Sequence, residues 1–126
     1  MVMIKKVVTR KDVAKYAEKY YKVVEELYGE SKHHLTTPYV YISNDKIGDV
    51  KGEYCYMINE ITVYWKNITS LEELIRTLVH EYQHYLQSPS WMTRYYNMGH
   101  DYESHPYEVA AYNEEENWEK IWKIAA

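Results

Sequence analysis

Residues 70–90 read SLEELIRTLVHEYQHYLQSPS, and the fold turns on whether this stretch is one helix. Ser70 and Glu73 form a capping box that opens a helix, and Pro89 stops it. Leu71, Leu74, Ile75, Leu78, Tyr82, Tyr85 and Leu86 recur at helical spacing and make one apolar stripe. His80 and His84 point almost opposite, beside Glu73, Arg76 and Gln87. Residues four apart on a helix share a face, so two imidazoles there can reach one metal ion. Nitrogen donors suit zinc. Glu81 sits about 100° round the helix, off the histidine face but within reach of a water that the ion would activate. The plainer alternative is a solvated polar face carrying two surface histidines.

Two histidines hold zinc weakly, and catalytic sites use three protein ligands plus water. A third donor must therefore come from downstream. The extended metzincin pattern is excluded, because Ser90 stands where its third histidine would be and Gln87 where its glycine would be. A carboxylate remains. Residues 105–112 read HPYEVAAY, which places Glu108 in a first helical turn with Ala111 and Tyr112 on its face. Trp118, Trp122 and Ala125 continue that stripe, so Glu108 is expected to point inward or along its edge rather than to water. Helix-dipole preference alone also favours an acid in a first turn. Glu103, Asp101, His100 and His105 are the other candidates.

Outward from this centre the chain reads as α+β. Thr9 and Asp12 cap a first helix that runs to Tyr28 before Gly29. PYVYIS at 38–43 and EYCYMINEITVYW at 53–65 are β-branched and aromatic, and read as strands of a small mixed sheet. Residues 88–104 read as irregular and Tyr-rich. A last helix is expected from near His105-Pro106, capped by Ser104, to Ile124. His33 and His34 fall in a loop and read as surface residues.

The 126 residues make one domain, 1–126, with 46% hydrophobic and 27% charged residues, an ordinary balance for a globular chain. Sixteen Tyr, four Trp and no Phe mean that half-buried rings must find partners for their hydroxyls. A net charge of −4 argues against nucleic acid as a partner. Residues 95–126 hold seven acidic against two basic residues, a weak pointer to basic peptides. The single Cys55 rules out an internal disulfide and reads as a small buried residue within a strand. The opening MVMIKKVVTRKD lacks a signal-peptide core and no segment reaches membrane-spanning length, so the expected location is the cytoplasm.

HEYQH followed by Glu108 in an E-x-x-A setting resembles the gluzincins, zinc peptidases with two histidine ligands and one glutamate ligand. The short chain resembles their minimal single-domain members, the minigluzincins. That resemblance covers roughly residues 53–112. It implies a zincin-like fold, a Zn2+ cofactor held by His80, His84 and Glu108, and Glu81 as the general base of a metalloendopeptidase. It also implies that the strand just before the motif helix, Ile61–Trp65, is the sheet edge along which a peptide substrate lies. Larger gluzincins complete their cleft with a second subdomain. Here either the cleft is shallow or residues 91–107 fold over it. For oxyanion support, Tyr95, Tyr96, His100, Tyr102, His105 and Tyr107 all compete. A different class of function uses the same ligands: a zinc-stabilised protein-binding or regulatory domain, its site closed by His105 or Asp101. The third reading has no metal at all.

Overall fold

The structure is a computed structural model that describes residues 9–102 and 104–125. Helix α1 spans Arg10–Tyr28 and is capped as expected, with Thr9 Oγ1 accepting from the Asp12 amide. Strands β1 (Tyr39–Ser43), β2 (Gly52–Cys55) and β3 (Glu60–Tyr64) form a mixed sheet in the order β1-β3-β2. Helix α2 spans Leu71–Leu86, α3 spans Pro89–Asn97, α4 spans Pro106–Glu114 and α5 spans Trp118–Ala125. The architecture is α+β. Among the described residues no helix is long and apolar enough to cross a membrane.

The sheet corrects one expectation. Ile61–Trp65 is not the sheet edge: residues 53–65 form a hairpin, turned at Tyr56–Asn59 with Asn59 at a positive φ of 49°. Asparagine tolerates that left-handed conformation better than most residues. Its side chain also secures the turn, accepting from the Tyr54 hydroxyl at 2.8 Å and donating to the Thr36 carbonyl at 2.8 Å. β3 therefore pairs on both sides, parallel with β1 and antiparallel with β2. The stretch Ile61–Trp65 is internal, and β2 is the edge beside α2. Cys55 ends that edge strand and is exposed, not buried, because alternate β2 side chains face away from α2.

Helix α2 is the hub. Val13, Ala17 and Val24 of α1, Ile61 and Val63 of β3 and Ile121 of α5 join its Leu74, Ile75, Leu78 and Val79 in one apolar cluster. Tyr82 and Tyr85 are fully buried within it, and each finds a loop partner. The Tyr82 hydroxyl donates to the Gly29 carbonyl at 2.5 Å, and the Tyr85 hydroxyl accepts from the Ser31 amide at 3.0 Å. Tyrosine in place of phenylalanine thus ties the loop after α1 to the core, since a buried hydroxyl without a partner would be costly.

Two further differences lie in the second half. Residues 89–97 form α3, which begins with a proline at the position where a missing amide costs nothing. The expected single C-terminal helix is interrupted at Glu115–Asn117 by a tighter turn that separates α4 from α5. The cap of α4 is His105, not Ser104: its Nδ1 accepts from the Tyr107 amide at 3.1 Å.

Candidate metal centre

Amphipathicity leaves α2 with a polar face, but that face is not in water. His80 is 6% exposed, Glu81 8% and Glu108, on α4, 4%. α4 covers the histidine side and β2 covers the side of Thr77 and Glu81. Close approach of β2 depends on Gly52, where an added Cβ would lie 2.6 Å from Thr77 Cγ2 and 3.5 Å from Glu81 Cγ. Only glycine lets the sheet edge run this near to Thr77.

The side chains converge tightly. His80 Nε2 lies 3.3 Å from His84 Nε2 and 3.4 Å from Glu108 Oε1. Glu108 Oε1 also contacts His84 Nε2 directly. His80, Glu81 and His84 offer ligand atoms that all lie within 4.8 Å of one another. The far nitrogens are tied outward. His80 Nδ1 donates to Glu115 Oε2 at 2.8 Å, and His84 Nδ1 donates to Gln87 Oε1 at 2.7 Å. Each ring thereby turns its Nε2 to the cluster, the atom that a metal ion would take after displacing any proton there. Gln87 also donates to the Tyr107 carbonyl at 3.0 Å, which joins the end of α2 to the start of α4. The Tyr112 ring packs edge-on against His80, with centroids 4.7 Å apart.

No family model, curated protein or solved structure matches this chain.

The donor set therefore has to be judged by its own chemistry. Two imidazole nitrogens and one carboxylate oxygen suit zinc, and bonds of about 2.05 Å in a tetrahedron put donors about 3.3 Å apart. Two of the three separations here are 3.3 and 3.4 Å. Glu108 Oε2 is buried and makes no hydrogen bond among the described residues, which a cation beside the carboxylate would remedy. The residues fit a divalent metal ion.

Electrostatics follow from this crowding. Burial pulls the His80 pKa down, but the Glu108 and Glu115 carboxylates outweigh it and hold the group up at about 10. Burial pushes Glu108 up, yet hydrogen bonds from His80 and His84 win and keep it far below the usual carboxylate range. Glu81 is different: burial dominates, and its carboxyl is pushed up to about 7. Tyr102 is raised, first by partial burial and then by the Glu108 carboxylate, so it stays a proton donor.

The competing residues are engaged elsewhere or lie apart. Among the alternative third ligands, Asp101 is exposed and accepts from the Ser104 amide at 2.8 Å, and His100 packs edge-on against Tyr95. His105 uses both ring nitrogens, donating from Nε2 to the Met92 carbonyl at 3.0 Å while Nδ1 caps α4. Glu103 lies outside the described residues. For the oxyanion role, Tyr102 lines the cleft beside His80, Glu81 and Glu108, and Tyr96 lines it beside His84. Tyr95 packs at a tilt on Trp91 and edge-on against His105 and Tyr107. His33 is exposed as expected, whereas His34 is half-buried and meets the Tyr54 hydroxyl at 3.2 Å.

Sequence reasoning missed Glu115 as the partner of His80. Its signal was present, because Glu115 lies seven residues after Glu108 and two helical turns put them on one face.

Proposed function

We propose that this protein is a small zinc-dependent peptidase of gluzincin type and zincin-like fold. Its support is one observation: two imidazole nitrogens from α2 and a buried carboxylate from α4 converge on a point beside Glu81. Zinc, when bound by His80, His84 and Glu108, supplies the Lewis acidity that polarises a carbonyl and acidifies water.

The chain's own groups do the rest. Glu81, beside that point, takes a proton from the attacking water and later gives it to the leaving amine. The Tyr102 hydroxyl remains protonated and donates to the oxygen on which negative charge develops. β2 pairs in the sheet on one side only and lines the cleft. Its free edge offers backbone hydrogen bonds that align an extended peptide of any sequence. This role passes to β2 from the Ile61–Trp65 strand, which is internal.

A zinc-stabilised binding domain would use the same ligands but needs a fourth to close the site. His105 and Asp101, the two candidates, are turned to other partners, which favours the open, hydrolytic site. The test is Glu81→Gln in the zinc-loaded protein. Peptide cleavage should fall by about 10²- to 10⁴-fold with zinc content unchanged. Full cleavage by that variant would remove the mechanism, and a wild-type protein that binds zinc yet cuts nothing would favour the binding domain.

A further inference from the structure

The two edges of the sheet differ in how much they leave open. Acceptors at β1 are already taken by side chains of α1: Arg10 donates to the Ile42 carbonyl at 2.9 Å, and the Tyr21 hydroxyl donates to the Pro38 carbonyl at 2.8 Å. Among the described residues β2 pairs with β3 alone. It begins at Gly52, beside Thr77 and Glu81, and ends at Cys55, a run of about 10 Å at the usual strand rise. An extended chain laid along this edge from the metal centre soon runs off its end.

Beyond that end stands the hairpin turn, and it is apolar. Met57 is 79% exposed and Ile58 65%, and Tyr56 is exposed beside them. Asn59 donates to the Thr36 carbonyl, and its own carbonyl accepts from the Tyr39 amide at 3.2 Å. Those bonds bring exposed Leu35 and Tyr39 to the same end of the sheet. The core cluster takes none of these five side chains. Turn geometry calls for no Met or Ile, and clustered apolar surface of this kind marks a place where something binds. Tyr56 belongs to both regions, since it also lines the cleft with Tyr54, Glu81 and His84. The patch is continuous with the cleft.

We propose that the tip of the β2–β3 hairpin is a second docking site for substrate, remote from the chemistry, which holds an apolar segment of the polypeptide about four to six residues from the scissile bond. The inference rests on the peptidase reading. The occupant is the substrate chain itself, because the strand edge that leads to the tip starts beside Glu81. The spacing follows from the register. A residue opposite Gly52 lies by the reacting carbonyl, and those that pass Cys55 meet Tyr56, Met57 and Ile58. Folded proteins bury such apolar segments, so the substrate class is unfolded polypeptide. The site acts on binding, holding substrate and transition state alike, and so lowers KM without changing kcat.

The test starts from a sequence that the zinc-loaded wild-type protein cuts in unfolded casein. That sequence is synthesised with Leu-Ile-Leu or Ser-Gly-Ser placed about four residues from the cut, on each side in turn. On one side the Leu-Ile-Leu peptide should show a KM about tenfold lower, with kcat the same. Met57→Lys/Ile58→Lys, with its fold checked by circular dichroism, should erase that difference. Equal KM for the two peptides on both sides, or a difference that survives in the double variant, overturns the inference and leaves the peptidase standing. A second arm measures binding of labelled dodecapeptides to Glu81→Gln, one Ser-Gly throughout and one with Leu-Ile-Leu at an end. If wild type cuts nothing, while the Leu-Ile-Leu peptide binds more tightly and loses that advantage in Glu81→Gln/Met57→Lys/Ile58→Lys, the docking site stands and the peptidase reading falls. Equal binding counts against the site whether or not the protein cuts. Flotation with phosphatidylcholine vesicles, or a dimer in sedimentation, abolished in the double variant and with no KM difference, would give the tip to lipid or to a second copy and overturn the inference.

Discussion

Helices α2 and α3 are separated by only Gln87 and Ser88, yet they are opposites. α2 is buried on its apolar stripe and on its polar face alike, with ten of its sixteen residues buried. α3 has no buried residue, and its hold on the body runs through the rings of Tyr95 and Tyr96 on His105, of Tyr95 on Tyr107, and the hydrogen bond from His105 to Met92. The difference separates two tasks. Groups that must converge to within a few tenths of an ångström sit on the helix that packing immobilises. On the proposed reading, groups that must meet a substrate sit on a helix that few contacts restrain.

The contrast can be broken first by stability. Leu78→Ala, at a fully buried position in α2, should cost about 2–5 kcal/mol in chemical denaturation. A loss much below that would mean that the hub is not where the fold is held together. A second test asks whether the lightly held half reaches the chemistry. Tyr102 lies beyond α3, in the turn before α4, and Tyr102→Phe should lower kcat by about 10²-fold with zinc content and denaturation midpoint unchanged. An unchanged kcat would confine the chemistry to α2 and α4. The smallest effect belongs to α3 itself. Trp91→Ala should shift stability by no more than about 0.5 kcal/mol, since Trp91 is 43% exposed. A large loss there would erase the contrast.

The same division governs what could be read from the residues. α2 was legible because its cap, stripe and terminating proline all agree, and Glu108 because it borders an apolar stripe that no surface helix requires. α3 was not, since a run of Tyr, Met and Trp without a clear stripe looks like loop. The order of the strands also escaped. Residues 53–65 carry strand propensity throughout, and only Asn59, which adopts the left-handed conformation at the turn, marks the hairpin. That one turn moves the sheet edge from Ile61–Trp65 to β2, and with it the expected path of a peptide. Gly52 gave no warning. Its importance is a close approach to Thr77 and Glu81, which local sequence does not encode.

Whether His80, His84 and Glu108 act together is decided most directly by metal analysis of the purified protein and two variants. About one zinc per chain is predicted for wild type and for Glu81→Gln, and almost none for Glu108→Ala, whose fold is checked by circular dichroism. Wild-type protein without zinc, or a folded Glu108→Ala variant that keeps its full complement, would contradict the account.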